Sequence, residues 1–370
     1  MTHKNEVKTL VLTLLVTLSC LGAGFQLFRS FEAASTSGET AVELPEAQTD
    51  LPVTASHAVE DSHSPEDDAP EDSVKPKELA IAPNFAQVPE VPAGFFNYGG
   101  STTWAPIRGS VDFEIQKARP EFRLNYVQPR EIIPSSQTGL EMLVQGELAF
   151  SLASRLPSNE LLETLKAKGT QVRLVPVAKS FDVPAVNWSL PLTVLTIDQF
   201  YAIQAGKIIN WRDVGGPDLP IQQFDRSVND DFLDTRPNLE TENIELLATP
   251  SEAIRRVAGT PGGIYVHTAS VLVPQCEVKV LALESPLGQR ILPYQEPLVP
   301  ASDCPARRNQ VNLEALSSGN YPKQLQDTLY VVINQNGAIE QQAGEAYASF
   351  LLSDEGQALL ERNGYLRIRQ

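Results

Sequence analysis

Apolar residues recur three and four apart in some stretches of the chain and run together or alternate in others. After Thr196, Ile197, Phe200 and Tyr201 form the stripe of a short amphipathic helix. Thr196 suits its N-cap and Gly206 its left-handed stop. Trp211 follows as a packing residue, and Gly215-Gly216-Pro217 makes a turn. Ile107, Val111 and Ile115 share one face of a helix predicted over Trp104–Ala118, and Leu140–Leu148 and Leu161–Lys168 also read as helices. Between them Phe95–Tyr98, Arg123–Val127, Ala149–Ala153 and Val172–Ala178 read as strands. Ala343–Tyr365 reads as two helices divided near Ser353. Strands alternating with helices predict an α/β fold with a parallel sheet.

The N-terminal quarter follows a different pattern. Lys4 and Lys8 precede Thr9–Phe28, an uncharged run long enough to span a bilayer with the N-terminus inside. A cleaved signal peptide and lipidation at Cys20 are alternatives. Thr17 stands where a lipoprotein signal wants an aliphatic residue, and apolar sequence continues past Cys20 to Phe28, so an uncleaved signal anchor over residues 1–31 is the favoured reading. Every version exports the rest of the chain. Residues 32–91 are rich in Pro, Ser, Thr, Ala and Glu and read as a disordered acidic linker. Thirteen acidic residues against two lysines between Glu32 and Glu78 supply most of the net charge of −17. That balance excludes nucleic acid as a partner but does not describe a ligand site. Residues 92–370 read as the globular part, and there an exported Cys276 and Cys304 are expected to form a disulfide, two free thiols being the alternative. No sequence motif suggests a cofactor, a metal or an enzyme.

The run from Thr196 to Ile221, with Gly206-Lys207-Ile208-Ile209-Asn210-Trp211-Arg212-Asp213-Val214-Gly215-Gly216-Pro217, closely resembles a segment of periplasmic phosphate-binding proteins, the capture subunits of phosphate ABC importers. Phe350-Leu351-Leu352-Ser353-Asp354-Glu355-Gly356-Gln357 is similar to the closing segment of the same family. The resemblance implies a two-lobed type 2 periplasmic-binding-protein fold, with lobe 1 about 92–178 and 335–370 and lobe 2 about 179–334. Two strands, near Leu174–Asn187 and Leu329–Asn334, would cross between the lobes, and ligand would bind in the cleft. It implies a phosphate or other oxyanion ligand, delivery to ABC permease subunits, and a place on the periplasmic side of the inner membrane.

Candidate ligand residues follow from helix-start loops, where free backbone N–H groups and positive potential favour an anion. Ser101, Thr102 and Thr103 follow two glycines, and Thr103 is nearest the family's threonine donor. Ser136 falls at the family's binding serine, with Thr138 nearby. Serine and threonine there equally suit ordinary helix capping. Ser154 stands where some members carry an aspartate that accepts a proton from phosphate, followed by Arg155; Ala149 replaces another family Asp. Arg226 is the candidate charged anchor, and His267 reads as a core histidine. The main departure is Asp230-Asp231 where the family has Ser and Gly. It leaves two readings open: a membrane-tethered capture protein for phosphate or a similar oxyanion, and a sensor or interaction module that has lost tight phosphate binding. If this loop borders the site, Asp230→Ser with Asp231→Gly should tighten phosphate binding at least about tenfold, near 1.4 kcal/mol. Calorimetric titration checks it, and an unchanged tight affinity would place the loop away from the ligand.

Overall fold

The computed structural model describes residues 79, 81–130, 133–226 and 243–369. The apolar N-terminal run, most of the acidic segment, Asp230 and Asp231 lie outside the described residues. Among the described residues no helix is long and apolar enough to cross a membrane.

Three parallel strands open the first lobe: β1 (Gly94–Gly100), β2 (Phe122–Tyr126) and β3 (Phe150–Ala153), with β1 between the other two. Helices α1 (Ala105–Ala118), α2 (Ser136–Val144) and α3 (Asn159–Ala167) follow them in turn. α2 begins ahead of the predicted Leu140 because Ser135 and Thr138 cap each other's backbone, satisfying two N–H groups that would otherwise be orphaned. β4 (Val172–Asn187) then runs on for sixteen residues.

The second lobe holds β5 (Val194–Thr196), α4 (Ile197–Gln204), β6 (Gln222–Arg226), β7 (Ile244–Leu247), α5 (Pro250–Gly259), β8 (Gly263–Thr268), β9 (Val278–Val280), β10 (Ala282–Glu284) and β11 (Arg290–Ile291). α4 has the predicted Thr196 cap, and Gly206 at φ 67° follows its end. The chain returns through β12 (Gln326–Asn334) and closes with α6 (Ile339–Leu352), α7 (Asp354–Arg362) and β13 (Leu366–Arg367).

The main sheet has the order β2-β1-β3-β12-β4-β8-β6-β7, with β9 and β13 also on β4. The sheet is mixed rather than wholly parallel. β12 pairs antiparallel with β3 and β4, and β8 antiparallel with β4, because chain entering one lobe must come back beside the strand that left it. β4 crosses between the lobes: Val172–Phe181 pairs with β12, and Asp182–Val186 pairs with β8. The second crossing lies at the start of β12, between Leu325 in one hydrophobic core and Leu329 in the other. The first core is built on Trp104, Phe150, Tyr347 and Phe350, and the second on Phe200, Trp211, Phe224 and Tyr265. Trp211 is fully buried as expected, its indole N–H donating to the Gly262 carbonyl at 3.0 Å. Cys276 and Cys304 form a disulfide with Cα atoms 5.4 Å apart and 28 residues apart in sequence, a loop closure worth about 3–4 kcal/mol in the chain-entropy picture.

Inside the first lobe α1 buries a carboxylate. Asp112 accepts from the hydroxyls of Tyr98 and, at 2.8 Å, Tyr347. Burial pushes its pKa up to about 6, against opposing contributions from the two hydroxyl donors and Arg108. A raised folded-state value means the folded chain binds the proton more tightly than the unfolded one. This contribution to stability is therefore fully present below about pH 4 and lost as pH rises through 6. Asp112→Asn should remove that dependence. Between pH 4.5 and 7.5 its unfolding free energy should gain about 2 kcal/mol relative to wild type, measured by urea melts. A constant difference between the two proteins would show that Asp112 titrates normally.

Candidate functional site

Two glycines bring the helix-start loops together. Gly100 has φ 121°, and a Cβ there would meet the Leu152 carbonyl oxygen at 2.2 Å. A Cβ on Gly139 would meet the Gly100 Cα at 2.6 Å. The first turn of α2 therefore sits directly against the end of β1, where the chain turns toward α1.

Three serines meet at this junction. Ser101 Oγ lies 2.9 Å from Ser154 Oγ, and Ser136 Oγ accepts from the Ser154 backbone N–H at 3.1 Å. All three are buried. One hydroxyl proton is used between Ser101 and Ser154, which leaves two of the three for an acceptor in the space they enclose. Trp104 braces the loop by donating its indole N–H to the Ala153 carbonyl at 3.1 Å, and Tyr365 by donating its hydroxyl to the Thr103 carbonyl at 2.6 Å.

The space is a cavity of about 50 Å³ between the lobes. One water needs roughly 10–15 Å³ by this measure, so there is room for a tetrahedral oxyanion and little more. Lobe 1 supplies Ser101, Thr103, Ser135, Ser136, Ser154 and Arg155. Lobe 2 supplies Asp225, Arg226, Tyr265, Val266 and His267. Asp182 on β4 and Asp327 on β12 line it where the chain passes between lobes.

Five of the seven residues named from sequence thus border one cavity: Ser101, Thr103, Ser136, Ser154 and Arg226. Thr102 does not line it; its Oγ1 accepts from Arg226 Nη1 at 2.8 Å. Thr138 also lies elsewhere. It completes the capping box of α2, donates to the Ile133 carbonyl at 3.3 Å and borders a different surface cleft beside Val127 and Glu141. His267 is buried as expected, but it faces the cavity rather than only a core, with Nδ1 accepting from the Thr268 backbone N–H at 2.7 Å.

Sequence reasoning missed the hinge carboxylates. Asp182 interrupts an apolar strand after Phe181, and Asp327 stands two residues before Leu329-Tyr330-Val331-Val332-Ile333. A charge inside each crossing strand was the available signal. The cavity therefore carries two guanidiniums and three carboxylates. A bare dianion gains little from that balance, whereas an oxyanion bearing an acid proton can donate to a carboxylate while accepting from hydroxyls and arginine. Among the described residues no His, Cys, Asp or Glu cluster suits a metal ion.

Solved structures of similar fold include a protein from Clostridium perfringens described as a candidate phosphate ABC transporter substrate-binding protein and solved with bound phosphate. It is 19% identical with a TM-score of 0.58, over 75% of this chain and all of that one. A human phosphate-binding apolipoprotein is 10% identical with a TM-score of 0.52, over 74% of this chain and 91% of its own. A phosphate-binding protein from Stenotrophomonas maltophilia is 12% identical with a TM-score of 0.51, over the same shares. At such identities the likeness is one of fold. Comparison with curated proteins gives no match. A family model described as a PBP superfamily domain matches residues 84–355, most of the globular part. On that match the chain belongs to the PBP superfamily and has the periplasmic-binding-protein fold.

Proposed function

We propose that the protein captures a protonated oxyanion, phosphate foremost, in the cavity between its lobes. The observation that carries this reading is the convergence of Ser101, Ser136 and Ser154 from one lobe with Arg226 from the other on a cavity of about 50 Å³. Hydroxyls are neutral donors that meet an oxyanion at modest desolvation cost, and the guanidinium supplies charge. Asp182, Asp225 and Asp327 give the site a preference for ligands that carry a proton. Hydrogen phosphate has one at neutral pH and sulfate does not. The structural neighbours with bound or named phosphate support the same ligand. The protein acts as a binding subunit, not an enzyme. It is exported, held at the periplasmic side of the inner membrane by its N-terminal segment, and hands its ligand to ABC permease subunits.

A second reading keeps the fold but gives the protein a sensing or interaction role without tight phosphate binding. The observation in its favour is that carboxylates outnumber arginines around the cavity.

Calorimetric titration of the purified chain separates these. Phosphate should bind at least about 100-fold more tightly than sulfate at pH 7.5, near 2.7 kcal/mol. Arg226→Gln should weaken phosphate by at least about 30-fold, since losing one partner of a charge-assisted contact costs about 2 kcal/mol or more. Equal binding of the two anions would mean that no carboxylate faces the ligand. Binding of neither would favour the second reading.

A further inference from the structure

Arg226 does more than line the cavity. It is the last residue of β6, in the second lobe, yet both ends of its guanidinium bond to the first. Nη1 donates to Thr102 Oγ1 at 2.8 Å and Nη2 to the Pro134 carbonyl at 2.9 Å. The two acceptors belong to different loops, one leading into α1 and one leading into α2. These are the loops that Gly100 and Gly139 bring into contact. A planar fork with donors in fixed directions, bonded to two loops at once, cannot rotate about either bond. Both acceptors are neutral oxygens, and the two bonds together orient the guanidinium.

We infer that Arg226 is a clasp between the lobes, and that Thr102 is the residue positioning it rather than a ligand donor. The inference concerns the regulation of the oxyanion site and rests on the phosphate reading only for its kinetic consequence. With the clasp made, the space between the lobes is about 50 Å³, and an anion enters only when the clasp releases. Thr102 then sets the frequency of opening, while Ser101, Ser136 and Ser154 set the contacts made once the anion is inside. Weakening the clasp raises the rates of entry and escape together.

The test is hydrogen–deuterium exchange on the full chain in buffer free of phosphate and sulfate. Thr102→Val removes the acceptor and keeps the shape; Thr102→Ser keeps the acceptor. Thr102→Val should speed amide exchange at least tenfold in three places: residues 101–104 and 134–138 of one lobe and 223–226 of the other. Thr102→Ser should match wild type. Acceleration confined to 101–104, or none, would overturn the clasp, because a local role of Thr102 would not reach β6. If Thr102→Val exchanges fast throughout, Arg226→Gln is read in its place against the same two outcomes.

Stopped-flow phosphate binding supplies the second readout. Thr102→Val should raise association and dissociation rates at least fivefold each, with Kd held within about threefold. A weaker Kd arising from dissociation alone would make Thr102 a ligand donor and overturn the assignment. Should phosphate not bind, the proposed function fails while the exchange experiment still decides the clasp.

Discussion

A Cβ at Gly139 would lie 2.6 Å from the Gly100 Cα, and the site depends on that closeness. It allows the first turn of α2 to press on the end of β1, so that Ser154 comes within hydrogen-bonding reach of both Ser101 and Ser136. Backbone approach at this distance admits no side chain on either residue, and Gly100 also needs a φ that other residues rarely adopt. Serine hydroxyls from three separate segments then face one space without a charged residue to gather them. The aromatic layer beneath holds the arrangement. Tyr98 stacks on Phe150, and Phe150 on Tyr347, with ring centroids 5.4 and 4.7 Å apart.

The charge of the cavity comes largely from elsewhere. The lobe 1 loops bring donors, Arg155 and Arg226 bring positive charge, and β4 and β12 bring carboxylates where they pass between the lobes. A carboxylate beside an anion is repulsive unless a proton lies between them. On the proposed reading, the same residues that would weaken binding of a bare anion favour one that is still protonated. Ser154 brings a hydroxyl to the cavity, while Asp182 and Asp327 bring carboxylates from the crossing strands.

Much of this was legible in the sequence. Helical spacing at Ile107, Val111 and Ile115, the Thr196 cap and the apolar strands fixed most elements to within a few residues, because burial on one face demands periodicity. Glycines and hydroxyl residues ahead of helices marked the two loops. Which hydroxyl turns inward was not legible. Ser135, Ser136 and Thr138 lie within one turn, and only backbone direction sends Thr138 into the capping box and Ser136 toward Ser154. The Arg226–Thr102 bond joins residues 124 apart, with no local pattern to announce it. Asp182 and Asp327 were hidden for a related reason: a strand's charge gains meaning only when the partner lobe that faces it is known.

The central claim is that an oxyanion sits between the three serines and Arg226. Arsenate shares the shape and protonation of phosphate and scatters anomalously, so a crystal grown with it locates the anion without reference to the protein's own density. The account predicts one arsenic peak in the cavity, within hydrogen-bonding range of oxygens that contact Ser101, Ser136 or Ser154 and the Arg226 guanidinium. A crystal whose arsenic lies elsewhere on the chain, with that cavity filled only by water, would contradict it.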